Sequence, residues 1–547
     1  MDVVLAVKKY VSKMIADSGT GMRVLMMDKE TTGIVSMVYT RSEILQKEVY
    51  LFENIGNEHG EVMKHLNAIV FVRPTKENVQ LLCKELKNPR YGKYYLYFSH
   101  ALSKSDVKVL AESDEHECVS DINEYFADFY PVDIHHFTLN ITNCARHFIW
   151  SQNHLTRTCH GLTSVFLALK KCPMIRYQAN SEMCHQLADS VKLLISREAS
   201  LFDFRRSDST PMLLILDRRF DPVTPLLNQW TYQAMTHELL GIKNGRVDLS
   251  QRPGVKKDLH EVVLSPLHDQ FYRENLYKNF GEIGSSIKEL MDDFQAKTRS
   301  QQKVESIDDM KAFVENYPQF KKMSGTVAKH VTVVGELSKI VGANNLLEIS
   351  ECEQDIACQS DHSSAIQKVR ALLRQPSTSS VDALRLVALY SLRYDSHSNN
   401  ATTSLTDQLA SRDSRRIISG LLKYASIGGR LSQAAEIPGI SMTRKFFKGL
   451  KGVENVYTQH VPKIKDTIEE LLKGRLRESD YPYAGSSIMS ERPSDVIVFI
   501  VGGTTYEEVA CVDSINSSNS GVRIILGGTT IHNGLSFIDE FMTATAS

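Results

Sequence analysis

Residues 212–241, MLLILDRRFDPVTPLLNQWTYQAMTHELLG, restrict the fold more than any other part of the chain. Leu213, Leu214, Ile215 and Leu216 form an uninterrupted apolar run, the pattern of a strand buried on both faces of a sheet. Four ionisable groups follow at once: Asp217, Arg218, Arg219 and Asp221. Thr224 then offers a cap, and Pro225 a first helical position where a missing N–H costs nothing. The spacing predicts a helix from there that buries Leu226, Trp230 and Met235 and exits at Gly241. Buried strand, charged loop and capped helix make the repeating unit of a parallel α/β sheet. In that class, catalytic groups often occupy such a loop.

The same grammar recurs at both ends of the chain. Strand candidates at 23–27, 48–52, 68–72 and 94–98 alternate with polar or helical sequence, which predicts a small doubly wound α/β unit. Ahead of them, Val4, Leu5, Val7, Val11, Met14 and Ile15 fit one face of an amphipathic helix. Near the carboxyl end, 496–501 and 522–526 each run into Gly-Gly-Thr-Thr. The stretch between them and the opening motif is mostly helical in pattern. The expected fold class is therefore α/β: an amino-terminal α/β domain over 1–133, a discontinuous middle α/β domain over 134–244 and 481–547, and a helical insertion over 245–480.

A chain of 547 residues with 42% hydrophobic and 24% charged residues has ample material for several cores. Lys+Arg 64 against Asp+Glu 65 gives a net charge of -1, without the basic excess of a dedicated nucleic-acid binder. Nine cysteines at irregular spacing suit reduced thiols better than a disulfide framework. No apolar run reaches the roughly 18–20 residues that span a bilayer, and the first residues lack the pattern of a signal peptide. A soluble, cytoplasmic protein is expected.

Chemistry is sparse. Asp217 and Asp221 can be an acid–base pair, or Arg218 and Arg219 can neutralise them in a structural loop. The two GGTT turns follow strands but match neither GxGxxG nor GxxxxGK[ST], so tight turns explain them better than a phosphate cradle. Cys144, His147, His154, Cys159 and His160 have no usual zinc spacing. His237 and Glu238 begin an HExxH pattern that fails at Gly241. Arg444, Lys445, Lys448 and Lys451 interleave with Phe446, Phe447 and Leu450, a helix with a solvated basic side or a segment that binds anionic lipid or RNA. No catalytic residue, metal or cofactor is expected. An α/β enzyme using the Asp217–Asp221 loop or the GGTT turns stays as the alternative.

The informative pattern is an apolar stripe. Ile307, Met310, Phe313, Val314, Tyr317, Phe320, Met323, Val327, Val331, Val334, Leu337 and Val341 recur at steps of three or four. Its length resembles a coiled-coil seam. Pro318 is predicted to break or kink it, with Gly325 a second soft point, giving a helical hairpin or kinked long helix able to change shape.

With these features, LLILDRRFDPVTPLLNQWTYQAMTHELLGI, MDKETTGIVSMVYTRSEILQKEVYLFE (27–53), SKSDVKVLAESDE (103–115), NYPQFKKMSGTVAKHVTVVGELS (316–338) and KGLKGVENVYTQH (448–460) together resemble the SM proteins, syntaxin-binding regulators of SNARE-driven membrane fusion. The stretches are similar to the endosomal and trans-Golgi, vacuolar-protein-sorting branch, and the likeness covers essentially the whole chain. It implies a three-domain arch without enzymatic activity, a monomer in the cytoplasm peripherally associated with endosome and trans-Golgi membranes. The implied partners are a syntaxin-type SNARE, the assembled SNARE complex, and tethering or Rab effector proteins.

The resemblance also assigns residues. Val107, Leu110, Val119 and Ile122 match an apolar pocket for a short amino-terminal syntaxin peptide; the spacing suggests that each pair shares a helix face. Asp28 and Glu53 match charged contacts to syntaxin in an inner cavity, while Gly33 and Thr40 replace basic residues of exocytic members. Tyr317, Pro318 and Phe320 match a hairpin that templates SNARE assembly.

Overall fold

In a computed structural model of the chain, the structure describes residues 1–57, 59–204, 209–301, 307–358, 361–409, 413–425, 459–485 and 492–546; side chains are described outside 299–319. The chain forms two compact units.

The first unit comprises Met1–Arg218, Asp466–Thr504 and Val512–Ile531. Its first sheet has strands β1 (Arg23–Met27), β2 (Val49–Asn54), β3 (Met63–Val72), β4 (Tyr91–Phe98) and β5 (Val119–Glu124), all parallel, in the order β2-β1-β3-β4-β5. β1 is buried at every residue, which explains its plain apolar run. Helix α1 (Val3–Asp17) is capped by Asp2 and buries Val4, Val7, Val11, Met14 and Ile15. Leu5, expected on that face, instead points to solvent. Strand order reverses between β1 and β3, so the crevice beyond their carboxyl ends is the topological switch point of this sheet. Helix α2 (Lys29–Val38) leaves β1 there, and helix α3 (Lys104–Ser113) follows β4.

The second sheet takes strands from distant parts of the sequence: β6 (Tyr130–Asp133), β7 (His136–Thr138), β8 (Met174–Tyr177), β9 (Met212–Asp217), β10 (Asp495–Val501) and β11 (Arg523–Gly528), in the order β8-β9-β10-β11-β7-β6. All pairs are parallel except β6 with β7. Every residue of β9 and β10 is buried. Gly527 is needed for close packing: a Cβ there would lie 2.1 Å from Cζ of Phe137 on the neighbouring strand.

The second unit comprises Arg219–Lys465, Thr505–Cys511 and His532–Ser547 and is mostly helical. The helix expected from Thr224 starts later. Asp221 accepts the Thr224 amide (3.1 Å) and hydroxyl (2.6 Å), so residues 224–226 form a tight single turn. The Glu353 carboxylate then holds the Asn228 backbone (2.8 Å) and amide (3.0 Å), and the helix itself runs Tyr232–Leu239. Side-chain acceptors placed by the fold override the local cap signal. Leu226, Trp230 and Met235 are buried as expected, and Gly241 takes the left-handed exit at φ 81.

Two long helices of this unit pack together, α4 (Phe280–Gln301) and α5 (Ile307–Ala343), with the rings of Phe294 and Phe320 stacked at 5.3 Å. The expected break at Pro318 is absent: the backbone is helical from Ile307 to Ala343. One proline forfeits one ladder bond, about 3 kcal/mol, and a helix with long flanks on both sides can continue past it. The stripe on α5 is graded. Val334, Leu337 and Val341 are buried, whereas Phe320, Met323, Val327 and Val331 are only half-buried.

Candidate functional site

At the switch point, Asp28 follows β1 and caps α2. One carboxylate oxygen accepts the Thr31 amide (2.7 Å); the other accepts the Arg73 amide (2.7 Å) and the Asn78 side chain (2.7 Å). The residue is buried. Asp28 is therefore an internal fastener of the sheet end. Glu53, on edge strand β2, is half-buried and accepts the Asn57 amide at 2.9 Å. Gly33 lies under Tyr130: a Cβ would sit 2.6 Å from Cε1 of that ring, so no basic side chain fits there. Thr40 caps the short helix Arg41–Leu45 in a reciprocal box with Glu43.

The four apolar residues assigned to a peptide pocket separate into two environments. Leu110 on α3 is 1% exposed and belongs to the core beneath the sheet, with Val119 partly buried against that core. Val107 and Ile122 are exposed at 39% and 37%. Val119 and Ile122 do not share a helix face, because they lie on strand β5, where residues three apart point to opposite sides. The strand was missed because VSDINE is polar and mostly solvent-facing, as an edge strand can be.

Of the hairpin residues, Tyr317 and Pro318 lie within the helical span of α5, and Phe320 stacks on Phe294 of α4. Lower on α5 a buried polar chain fixes the helix. The Tyr232 hydroxyl meets His330 Nδ1 at 2.8 Å, His330 Nε2 meets Asp269 at 2.9 Å, and Lys329 pairs with the same carboxylate. Burial opposes ionisation of Asp269, but His330 and Lys329 outweigh it and hold the carboxyl well below its usual range. Burial pushes His330 itself downward.

The charged loop after β9 is internally bonded. Asp217 accepts the Ser181 hydroxyl at 2.5 Å, and Asp221 also accepts the Lys463 amide at 3.1 Å. Both carboxylates and both arginines are buried. The glycines of the two GGTT sequences play different roles. Gly502 and Gly503 take φ of 88 and 93, whereas Gly527 and Gly528 stand where neighbours approach closely. The turns bond each other: the Thr504 amide donates to the Thr530 carbonyl (2.9 Å) and the Gly502 amide to the Thr529 hydroxyl (3.1 Å). The Gly502 and Thr504 amides are thereby occupied. Among the described residues no three His, Cys, Asp or Glu side chains gather as metal ligands. Residues 444–451 lie outside the described residues.

One constellation was not legible in the sequence. Arg73, following β3, and Arg157, on the helix Gln152–Leu169, clamp the carboxylate of Asp128 at 3.0 and 3.1 Å. Beside them opens a cavity of about 250 Å³ whose lining includes Glu30, Tyr130, Asn140 and His154. These residues are far apart in the chain and form no motif; only the placement of the two sheets in one unit joins them.

Parallel α/β sheets, a helical hairpin set on a buried polar base, and acidic loops committed to internal bonds describe a scaffold that offers surfaces. The chain belongs to the Sec1 family, whose pattern matches residues 23–540. It is 57% identical to vacuolar protein sorting-associated protein 45 of Mus musculus, over 100% of this chain and 96% of that protein. Its identity to the Saccharomyces cerevisiae protein of that name is 38%, over 96% and 94%. Among solved structures it is similar to the SM protein Vps45 in complex with the Qa SNARE Tlg2, with TM-score 0.93, 45% identity and coverage of 100% of this chain and 98% of that chain. The Unc18–syntaxin 1 complex of Monosiga brevicollis, at 20% identity and TM-score 0.81, covering 100% of both chains, shares the fold. The family resemblance read from the sequence is thus the family found, and the fold class is the α/β and helical architecture of SM proteins.

Proposed function

We propose that this chain regulates SNARE-mediated vesicle fusion in endosomal and trans-Golgi traffic, binding a Qa (syntaxin-type) SNARE and aligning SNARE helices for assembly. The observation that carries this reading is the whole-length likeness to a Vps45 that holds the Qa SNARE Tlg2. The division into domains 1–133, 134–244 with 481–547, and 245–480 goes with it. Val107 and Ile122, exposed near the edge of the first sheet, are apolar groups open to a short SNARE peptide. The half-buried stripe Phe320, Met323, Val327 and Val331 on α5 is a seam for a partner helix. Isolated helices nucleate poorly, so a rigid seam that holds two of them in register lowers the entropic barrier to bundle formation. The role is catalytic in that broad sense only, and the acidic loop after β9 takes no part in it.

Calorimetry on the full chain tests this. A Tlg2-like Qa SNARE cytoplasmic region is expected to bind, and Val107→Asp with Ile122→Asp to weaken that binding where the SNARE amino-terminal peptide is present. Nucleotide or divalent-metal binding together with indifference to every SNARE offered would favour the enzyme reading instead.

A further inference from the structure

The cavity beside the Arg73–Asp128–Arg157 clamp has a geometry that the surrounding fold does not use. Asp128 is 1% exposed and sits between the two guanidiniums. Arg157 also donates Nη2 to the Asp128 carbonyl at 3.1 Å. Arg73 meets Asp128 through Nε, and among the described residues its two terminal nitrogens carry no protein hydrogen bond. His100 and His160 stack at 3.8 Å within the field of Arg157. Burial pushes His100 down to about 3 and His160 below its ordinary value, so this stacked pair adds no charge beside the guanidiniums. Two guanidiniums stand against the clamped Asp128 carboxylate and the Glu30 carboxylate of the lining, so the cavity has no net charge and its one open polar feature is the Arg73 fork.

That fork selects the ligand. A carboxylate carries one negative charge and matches the parallel N–H pair of a guanidinium in a bidentate contact. Beside the Glu30 carboxylate of the lining, a phosphate dianion meets about twice the repulsion that a single carboxylate does. Size narrows it again. The space of about 250 Å³ admits a side chain but not a helix, whose diameter is roughly 10–12 Å. Tyr130 can form the wall because Gly33 leaves room for its ring, so the residue that distinguishes this cavity from a basic surface is also what shapes it.

We infer that the Arg73–Arg157 cavity is a specificity pocket for one acidic side chain presented by the docked Qa SNARE. The inference rests on the SNARE-binding function proposed above. Arg73 contributes the open bidentate face, Arg157 holds Asp128 in place, and Asn140 offers a neutral amide at the lining. The contact fixes the register of the bound helix, because a carboxylate one residue away on that helix is rotated out of reach.

Calorimetry compares wild type with Arg73→Gln, Arg73→Lys and, as a control, Lys29→Gln, which removes the same charge from an exposed neighbour. Two probes are used: the cytoplasmic region of a Tlg2-like Qa SNARE and its amino-terminal peptide alone. Arg73→Gln is expected to weaken the full probe about tenfold and leave the peptide unchanged. Arg73→Lys, which keeps the charge but not the fork, should fall between wild type and Arg73→Gln, and Lys29→Gln should match wild type. Melting curves with millimolar glutarate form the second arm. Stabilisation of wild type but not Arg73→Gln by glutarate, with SNARE affinity unaltered, would overturn the partner assignment in favour of a free acid. Equal SNARE affinity in wild type, Arg73→Gln and Arg73→Lys with no glutarate effect would overturn the pocket altogether. If wild type binds no SNARE, the proposed function fails by itself, and the glutarate arm alone decides whether the cavity takes carboxylates. A misfolded Arg73→Gln is recognised by its melting curve, and Arg73→Lys then carries the test.

Discussion

Leu110 belongs to one buried cluster with Val79, Leu82, Leu86, Leu96 and Phe98. An arginine there would have to bury an unpaired guanidinium or break the packing of α3 on the sheet. Leu110→Arg is expected to lose more than about 3 kcal/mol, a large share of the stability of a domain, and to show it as low soluble yield and an early melt. Val107→Asp, at an exposed site, should change stability by no more than about 0.5 kcal/mol and is the cleaner probe of peptide docking. A second residue-scale expectation concerns pH. Glu353 is fully buried; burial raises its carboxyl, Arg385 opposes the rise, and it is pushed up to about 7. Between the ordinary value of 4.5 and about 7 the folded state binds a proton that the unfolded state has released, so stability falls as pH rises through that window. Glu353→Gln keeps an acceptor for Asn228 and should flatten the stability profile over that range, raising the stability at pH 8 by on the order of 3 kcal/mol and the melting point with it. A lower melting point at pH 8 would contradict this.

Among the elements, β11 shows how tightly the second sheet is assembled. Gly527→Ala places a methyl group inside the ring of Phe137, which itself stacks on Phe499 at 6.2 Å. A loss of about 1–3 kcal/mol is expected from overpacking, whereas Gly521→Ala, with nothing near its Cβ, should be silent in the same denaturation measurement. The strands readable in advance were those like β1, β9 and β10, whose burial on both faces leaves continuous apolar runs. β5 was unreadable because its residues face water at an edge, and that hid the true relation of Val119 to Ile122. The start of the helix at Tyr232 depends on acceptors from Asp221 and Glu353, the second of which is remote in sequence. The same limit applies to the candidate site. Val107, a single exposed apolar residue, could be named from a family likeness, but the Asp28 bonds and the Arg73–Asp128–Arg157 clamp exist only once distant segments meet.

For the molecule as a whole, the described residues include no helix long and apolar enough to cross a membrane. Recruitment through a bound SNARE predicts that liposomes carrying a Tlg2-like Qa SNARE pellet the chain and protein-free liposomes do not; pelleting with bare lipid would point to a direct lipid contact. Chain order adds a further expectation. A truncated chain ending at residue 485 lacks β10 and β11, leaving β9 with an open edge and β7 without its parallel partner. It should lose protease resistance across 130–217, detected by limited trypsin digestion; unchanged resistance would show that the second sheet does not need its late strands.

The pairing of β9 with β10 also sets a clock for biosynthesis. Residues 218–494 must be translated after Met212–Asp217 before the partner strand exists. At roughly 5–20 residues per second the wait is on the order of tens of seconds. Throughout it, the nascent polypeptide leaving the ribosome presents the unpaired edge of a strand whose first five residues are apolar. Efficient production of this protein should therefore depend on a chaperone that shields that edge, and aggregation of stalled chains is the expected consequence where shielding fails.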